Sequence, residues 1–137
     1  MFQKIFIIGR LGKDPEMRFT PTGQAVTSFS VAVDNKYIDA DGQKVEQTIW
    51  FRVQAWGKRG ETANEFLSKG KLVFVEGRMQ FDPKTGGPRI WKGSDELAHA
   101  SFEINALEIK FLSPKDSTPA ESSEEESMPV SDDGIPF

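Results

Sequence analysis

"SFEINALEIKFL", residues 101–112, alternates apolar and polar side chains, yet halfway along the alternation slips by one residue. Phe102, Ile104 and Ala106 hold one phase, and Leu107, Ile109 and Phe111 hold the other. Successive side chains of a strand point to opposite faces, so a slip of one residue requires an extra residue at a bulge or corner. A flat hairpin has no use for such a corner, whereas a sheet that curls until it closes on itself does.

Four stretches upstream complete the sheet: "KIFIIGRL" at 4–11, "AVTSFSVAV" at 25–33, "QTIWFRVQAW" at 47–56 and "KLVFVEGRMQF" at 71–81. They are punctuated by Gly, Pro and Asn/Asp turn signals. The first is nearly continuous in apolar residues. The second alternates, with Ala25, Thr27, Phe29, Val31 and Val33 expected inward and Val26, Ser28, Ser30 and Ala32 outward. Between the third and fourth, "GETANEFLSKG" at 60–70 places Ala63, Phe66 and Leu67 on one helical face and supplies Gly70 as a stop. Five strands with one short helix after the third is the order of an all-β, five-stranded Greek-key oligonucleotide/oligosaccharide-binding (OB) barrel. Two connections exceed hairpin length and are expected to be extended hairpin loops: "DNKYIDADGQKVEQ" at 34–47, which turns at Asp41-Gly42, and "DPKTGGPRIWKGSDELAH" at 82–99.

The third strand carries the chemistry. Ile49, Phe51, Val53 and Ala55 read as its core face, which leaves Trp50, Arg52, Gln54 and Trp56 on the opposite face. Either indole alone fits a core or a subunit interface. Together with Arg52 between them, and with Tyr37 and Trp91 in cation-bearing loops, they suit a polymer with flat bases and negative phosphates. Duplexes hide base faces in the stack, so this pattern implies a binder of unpaired strands. Trp50, Trp56, Tyr37 and Trp91 are the candidate stacking rings. Arg52, Lys36, Lys44, Arg89 and Lys92, with Arg10 and Lys58 at strand ends, are the candidate phosphate contacts.

Charge is divided along the 137 residues. Residues 1–112 hold 16 basic and 14 acidic side chains, a net of +2, while residues 113–137 hold 1 and 7, a net of −6. The second part is rich in Ser, Pro and acid with little to bury, so it is expected to be a disordered tail from about Ser113, behind a folded domain at 1–112. A body charge of only +2 implies that stacking carries much of the binding free energy.

Other chemistries lack their residues. There is no Cys, and His99 is the one His, so no zinc site or thiolate chemistry is expected; His99 reads as a strand-edge or loop residue without a nucleophile elbow. The glycines of "IIGRLGKD" lack Walker spacing and a following helix, and Asp39, Asp41 and Gly42 lack the remaining ligands of a calcium loop. No enzymatic activity, cofactor or metal is expected. The N-terminal apolar run is too short for a membrane span or signal peptide, which points to a cytoplasmic protein without a membrane partner.

The stretches "KIFIIGRLGKDPEMRFTPTGQAVTSFSVAV", "EQTIWFRVQAWGK", "ANEFLSKGKLVFVEGRM" and the terminal "DDGIPF" resemble the bacterial single-stranded DNA-binding proteins of replication, recombination and repair. The resemblance implies an OB barrel, a homotetramer, and single-stranded DNA as a partner wrapped without sequence preference. It places the family's stacking rings on Tyr37, Trp50 and Trp56, with Phe81 or Trp91 as alternatives for a fourth, and it puts Phe51 where some relatives have His. It also assigns the tip, Asp132, Asp133, Ile135, Pro136 and Phe137, to docking replication and repair enzymes. A terminal Phe offers a ring for an apolar pocket and a carboxylate for a cation, with acids nearby to steer. Gly134 stands where an acid is common in the family. An alternative is an OB-fold accessory factor of replication restart that acts mainly through protein contacts, with Trp50 and Trp56 in an interface.

Overall fold

The computed structural model describes residues 1–114, so the acidic segment beyond Pro114 and its terminal tip lie outside the described residues. The chain runs β1 (Ile5–Leu11), β2 (Glu16–Phe19), β3 (Ala25–Ile38), β4 (Lys44–Trp56), α1 (Gly57–Phe66), β5 (Leu72–Met79), β6 (Ile90–Lys92), β7 (Ala98–Ala100) and β8 (Phe102–Phe111). Strand order is β1-β5-β8-β4-β3-β2, and β1 also pairs with β3. That last pairing closes five strands into a barrel, with β2 extending one side. All pairings are antiparallel except β4 with β8.

The expected corner is present. Glu76 faces Glu108 and Gly77 faces Ala106, so Leu107 is the extra residue. Gly77 suits this bend because a Cβ there would lie 2.6 Å from the Ile104 side chain. Ile7, Leu11, Phe29, Val31, Val53, Ala55, Val73, Val75, Ile104 and Ala106 fill the barrel, and Ala63 and Leu67 of α1 join them. Each large aliphatic buried this way contributes about 1.5–3 kcal/mol relative to exposure. Thr27, also inward, is fully buried, and its hydroxyl donates to the Gly60 carbonyl at 2.6 Å, which ties α1 to β3.

Several sequence expectations need correction. Val26 was expected outward but is fully buried: in the sheet it lies between Arg18 of β2 and Trp56 of β4, whose side chains flank it. Phe66 is exposed, because α1 ends there and its ring packs on Phe111 instead. Gly70 does not stop the helix; the chain turns extended at Leu67, and Gly70, with φ +85°, sits in a later turn and donates its N–H to the Leu11 carbonyl. Phe51 is half-buried and Phe102 exposed, since the two rings, 5.8 Å apart, lie together where the pairing of β4 with β8 begins. Leu72 N donates to Ser113 Oγ at 2.7 Å at the end of the described residues.

Both long connections are structured. Residues 34–38 and 44–47 continue β3 and β4 as a hairpin projecting past the barrel, with Gly42 at φ +76° in its turn. Residues 82–99 contain β6 and the first part of β7, a second small hairpin. No helix among the described residues is long and apolar enough to cross a membrane.

Candidate nucleic-acid interface

The register of β3 with β4 fixes what shares the outer face. Ala32 pairs with Trp50, Ser30 with Arg52, Ser28 with Gln54 and Val26 with Trp56. The small Ala32 and Ser30 leave Trp50 and Arg52 standing clear of the sheet, whereas Trp56 leans over Val26. Trp50 is 52% exposed, a large value for an indole on a central strand. Its six-membered ring lies over Gly12, where a Cβ would come within 2.5 Å of Cζ3. A residue larger than Gly would displace the ring. Trp56 is half-buried at the point where β4 passes into α1.

Arg52 has no side-chain hydrogen bond or ion pair among the described residues, so its charge is available to a ligand. Arg10 reaches the same neighbourhood, because it pairs with Ala32, the partner of Trp50; its Nη1 donates to the Gly70 carbonyl at 3.0 Å. Lys36 faces Glu46 across the projecting hairpin at 3.7 Å, both side chains exposed. Lys44 lies opposite Ile38 near the hairpin tip. Tyr37 pairs with Val45, and its odd register position puts it on the other side of the ribbon from Trp50 and Arg52. It is exposed there, on the projecting arm rather than on the barrel wall.

Arg89 is engaged within the protein. Its Nε donates to Glu103 Oε2 at 2.7 Å, its Nη2 contacts the same carboxylate oxygen, and Nη2 also donates to Gln80 Oε1 at 3.1 Å. Gln80 Nε2 in turn donates to Gln54 Oε1 at 3.0 Å. This chain pins the start of the 82–99 connection to the outer face beside Arg52. Glu103 is 8% exposed and is the one buried carboxylate among the described residues; Arg89 neutralises it. Trp91 and Lys92 follow on β6, both exposed. Phe81 borders a wider hollow of about 740 Å³ with Phe2, Arg78 and Arg89. Lys58, on the first turn of α1, lies elsewhere, in a hollow with Arg59, Leu107 and Phe111.

Trp50, Trp56, Arg52, Arg10, Trp91 and Arg89 thus converge on one side of the barrel, with Phe81 adjoining through Arg89. Tyr37, Lys36 and Lys44 sit on the arm, and Lys58 stands apart. Sequence reasoning missed Arg18, which β2 brings into the row of Val26 and Trp56. The signal was present in "EMRF", a four-residue strand bounded by Pro15 and Pro21. It also missed the partner of His99: the imidazole stacks on Trp91 with centroids 6.1 Å apart, and its Nε2 is 2.9 and 3.0 Å from the Asp95 carboxylate oxygens. The hydrogen bond from His99, helped by the Leu97 N–H, holds the Asp95 carboxyl below its ordinary range.

A closed five-stranded barrel with an open aromatic and cationic wall defines an OB-fold of the kind that offers a flat, charged surface to a polymer. The chain belongs to the single-strand binding protein family, whose pattern matches residues 2–112. It is 41% identical over 109 residues to the single-stranded DNA-binding protein of Neisseria meningitidis serogroup A, covering 80% of this chain and 59% of that one. With single-stranded DNA-binding protein 1 of Chlorobaculum tepidum it shares 36% over 118 residues, 83% of this chain and 67% of the other. The chain therefore spans less than two thirds of the Neisseria relative. Among solved structures, a deletion mutant of the single-stranded DNA binding protein from Thermus aquaticus superposes with a TM-score of 0.63 at 32% identity, over 80% of this chain and 50% of that chain. The Plasmodium falciparum SSB in complex with ssDNA superposes with a TM-score of 0.68 at 24% identity, over 82% and 97%, and shows the shared fold.

Proposed function

We propose that the protein binds single-stranded DNA without sequence preference, coating and protecting it in replication, recombination and repair. The observation that carries this reading is Trp50, more than half exposed on a central strand beside Arg52, whose guanidinium has no side-chain hydrogen bond or ion pair among the described residues. An indole half in water on the outer face of a sheet offers a flat apolar plane, and an unstacked base that covers it gains about 1–3 kcal/mol per ring. Trp50, Trp56 and Trp91 receive bases, with Tyr37 and Phe81 extending the path; Arg52, Arg10, Lys36, Lys44 and Lys92 receive phosphates. Arg89 acts by holding the 82–99 connection in place, and Lys58 contributes at a distance.

The unit is a homotetramer in this reading. Its support is a second outer face, where Phe6 (60% exposed) and Ile8 (53%) stand beside Phe74, an apolar patch of the kind that oligomers cover. The tip Asp132, Asp133, Ile135, Pro136 and Phe137 recruits replication and repair enzymes in the cytoplasm, supported by its ring, its acids and the family to which the chain belongs.

Competition tests the reading. Unlabelled oligo-dT should displace a labelled 35-mer of mixed sequence, whereas duplex of equal length should not. Equal competition by duplex would reject an aromatic platform.

A further inference from the structure

Glu103 is an acid with no attraction to offer a polyanion, yet it stands among the cations of the outer wall. Its carboxylate borders a hollow of about 410 Å³ together with Arg18, Arg52 and Arg89, so three guanidiniums and one acid share one opening. We infer that Glu103 stands in for a DNA phosphate: it holds Arg89 in a neutral pair, withholds that cation from single strands and thereby limits how firmly the wall grips them. The inference rests on the single-strand reading above and goes beyond it, since it assigns a part to an acid that touches no DNA.

Position comes first. In the parallel pairing of β8 with β4, Glu103 is the partner of Arg52, so the acid belongs to the outer face and not to the barrel interior. It is nevertheless only 8% exposed. Its Oε2 accepts from Arg89 Nε at 2.7 Å and also meets Nη2, and Nη2 donates to Gln80 Oε1 at 3.1 Å. A carboxylate this deeply covered is costly to leave without its cation. Arg89 therefore stays with Glu103 when a strand arrives, because leaving would strand the acid.

The withheld cation is well placed to bind DNA. The Arg89 side chain is 47% exposed, and it borders both this hollow and the wider one with Phe81 and Arg78. A strand that crosses the wall from Arg52 toward Phe81 passes over it. With no acid beside it, a guanidinium there would offer its fork to a phosphate. Arg18 and Arg52 show the contrast, since neither has a side-chain hydrogen bond or ion pair among the described residues. Salt dependence reports the difference. A cation that neutralises a phosphate releases counterions, whereas a pair that is already neutral adds nothing to the slope.

The test uses the full chain and oligo-dT titrations at several salt concentrations. Glu103→Gln frees Arg89 for a phosphate, so log affinity should fall with log salt more steeply by about 0.7, the increment for one single-strand contact. Relative to equal affinity at 1 M, that increment makes the variant about 5-fold tighter than the wild type at 0.1 M salt. Glu103→Asp keeps the charge and should keep the wild-type slope. Glu103→Gln combined with Arg89→Gln removes a neutral pair and should keep it too. A part in folding alone would move the melting temperature and leave every slope in place, so thermal melts accompany each titration. Should Glu103→Gln not fold, the double variant decides, because a slope flatter than wild type by about 0.7 means that Arg89 already grips DNA in the wild type. That flattening, or a wild-type slope in folded Glu103→Gln, would overturn the inference and leave the single-strand reading standing. Absence of oligo-dT binding by the wild type would instead overturn that reading.

Discussion

The outer surface of the barrel has two aromatic faces, and they are built differently. On β3 and β4, Trp50 and Trp56 flank Arg52 and Gln54 opposite Ala32, Ser30, Ser28 and Val26, and the Arg52 charge is unpaired among the described residues. On β1, β5 and β8, Phe6 stacks on Phe74 at 6.2 Å, Lys110 Nζ lies 6.0 Å from the Phe74 ring, and Lys4 pairs with Glu76. There the rings already meet each other, and Lys4 and Lys110 already face Glu76 and Glu108. Exposure alone does not tell the faces apart, since Ile8 and Trp50 are similarly open. What separates them is whether cations are left over for a polyanion. A face with surplus cations suits nucleic acid, and a neutralised apolar face suits another copy of the same chain.

The largest effect should come from breaking the second face. Ile8→Asp places a carboxylate in the apolar patch, and light scattering should then report a single chain of 15.3 kDa where the wild type gives a multiple of it. Trp50→Ala should leave that mass unchanged and weaken oligo-dT binding by about 1–3 kcal/mol. A change of mass with Trp50→Ala would blur the division. Next, Arg52 and Arg89 should separate. Arg52→Gln flattens the salt slope of DNA binding by about 0.7 with little change in melting, whereas Arg89→Gln strands the buried Glu103 carboxylate and lowers stability by about 1–3 kcal/mol. Denaturant melts with intact slope are the signature of the second variant.

The smallest effect concerns pH. The Asp95 carboxyl is held low by His99, so the hairpin gains stability above the ordinary carboxylate range and loses it as pH falls through the lowered value. With Trp91 as the sole tryptophan, its emission should therefore change as pH falls below the usual carboxylate range. His99→Ala should shift that change upward toward the ordinary value.

Much of the barrel was legible because a period of two leaves a direct trace. The slip at Ala106 and Leu107 foretold the bulge, and the alternation of β4 foretold which side Trp50 and Arg52 would share. Short elements leave no such trace: β2, β6 and β7 have three or four residues each, too few for periodicity, and they carry Arg18, Trp91 and His99. Tyr37 shows a different limit. The position of the turn near Asp41-Gly42 decides whether odd or even residues of the arm face Trp50, and composition leaves that register open. The tie between Arg89 and Glu103 joins residues 14 apart through a loop, a pairing no local pattern announces.

The central claim is that the indoles of β4 form an open landing surface for unpaired bases. Stopped titration of the full chain with oligo-dT, read by tryptophan emission in the wild type, Trp50→Phe and Trp56→Phe, addresses it most directly. Strong quenching in the wild type that shrinks in each variant in turn is the result expected. Quenching of equal depth in all three, or emission that follows protein concentration and ignores DNA, would contradict it.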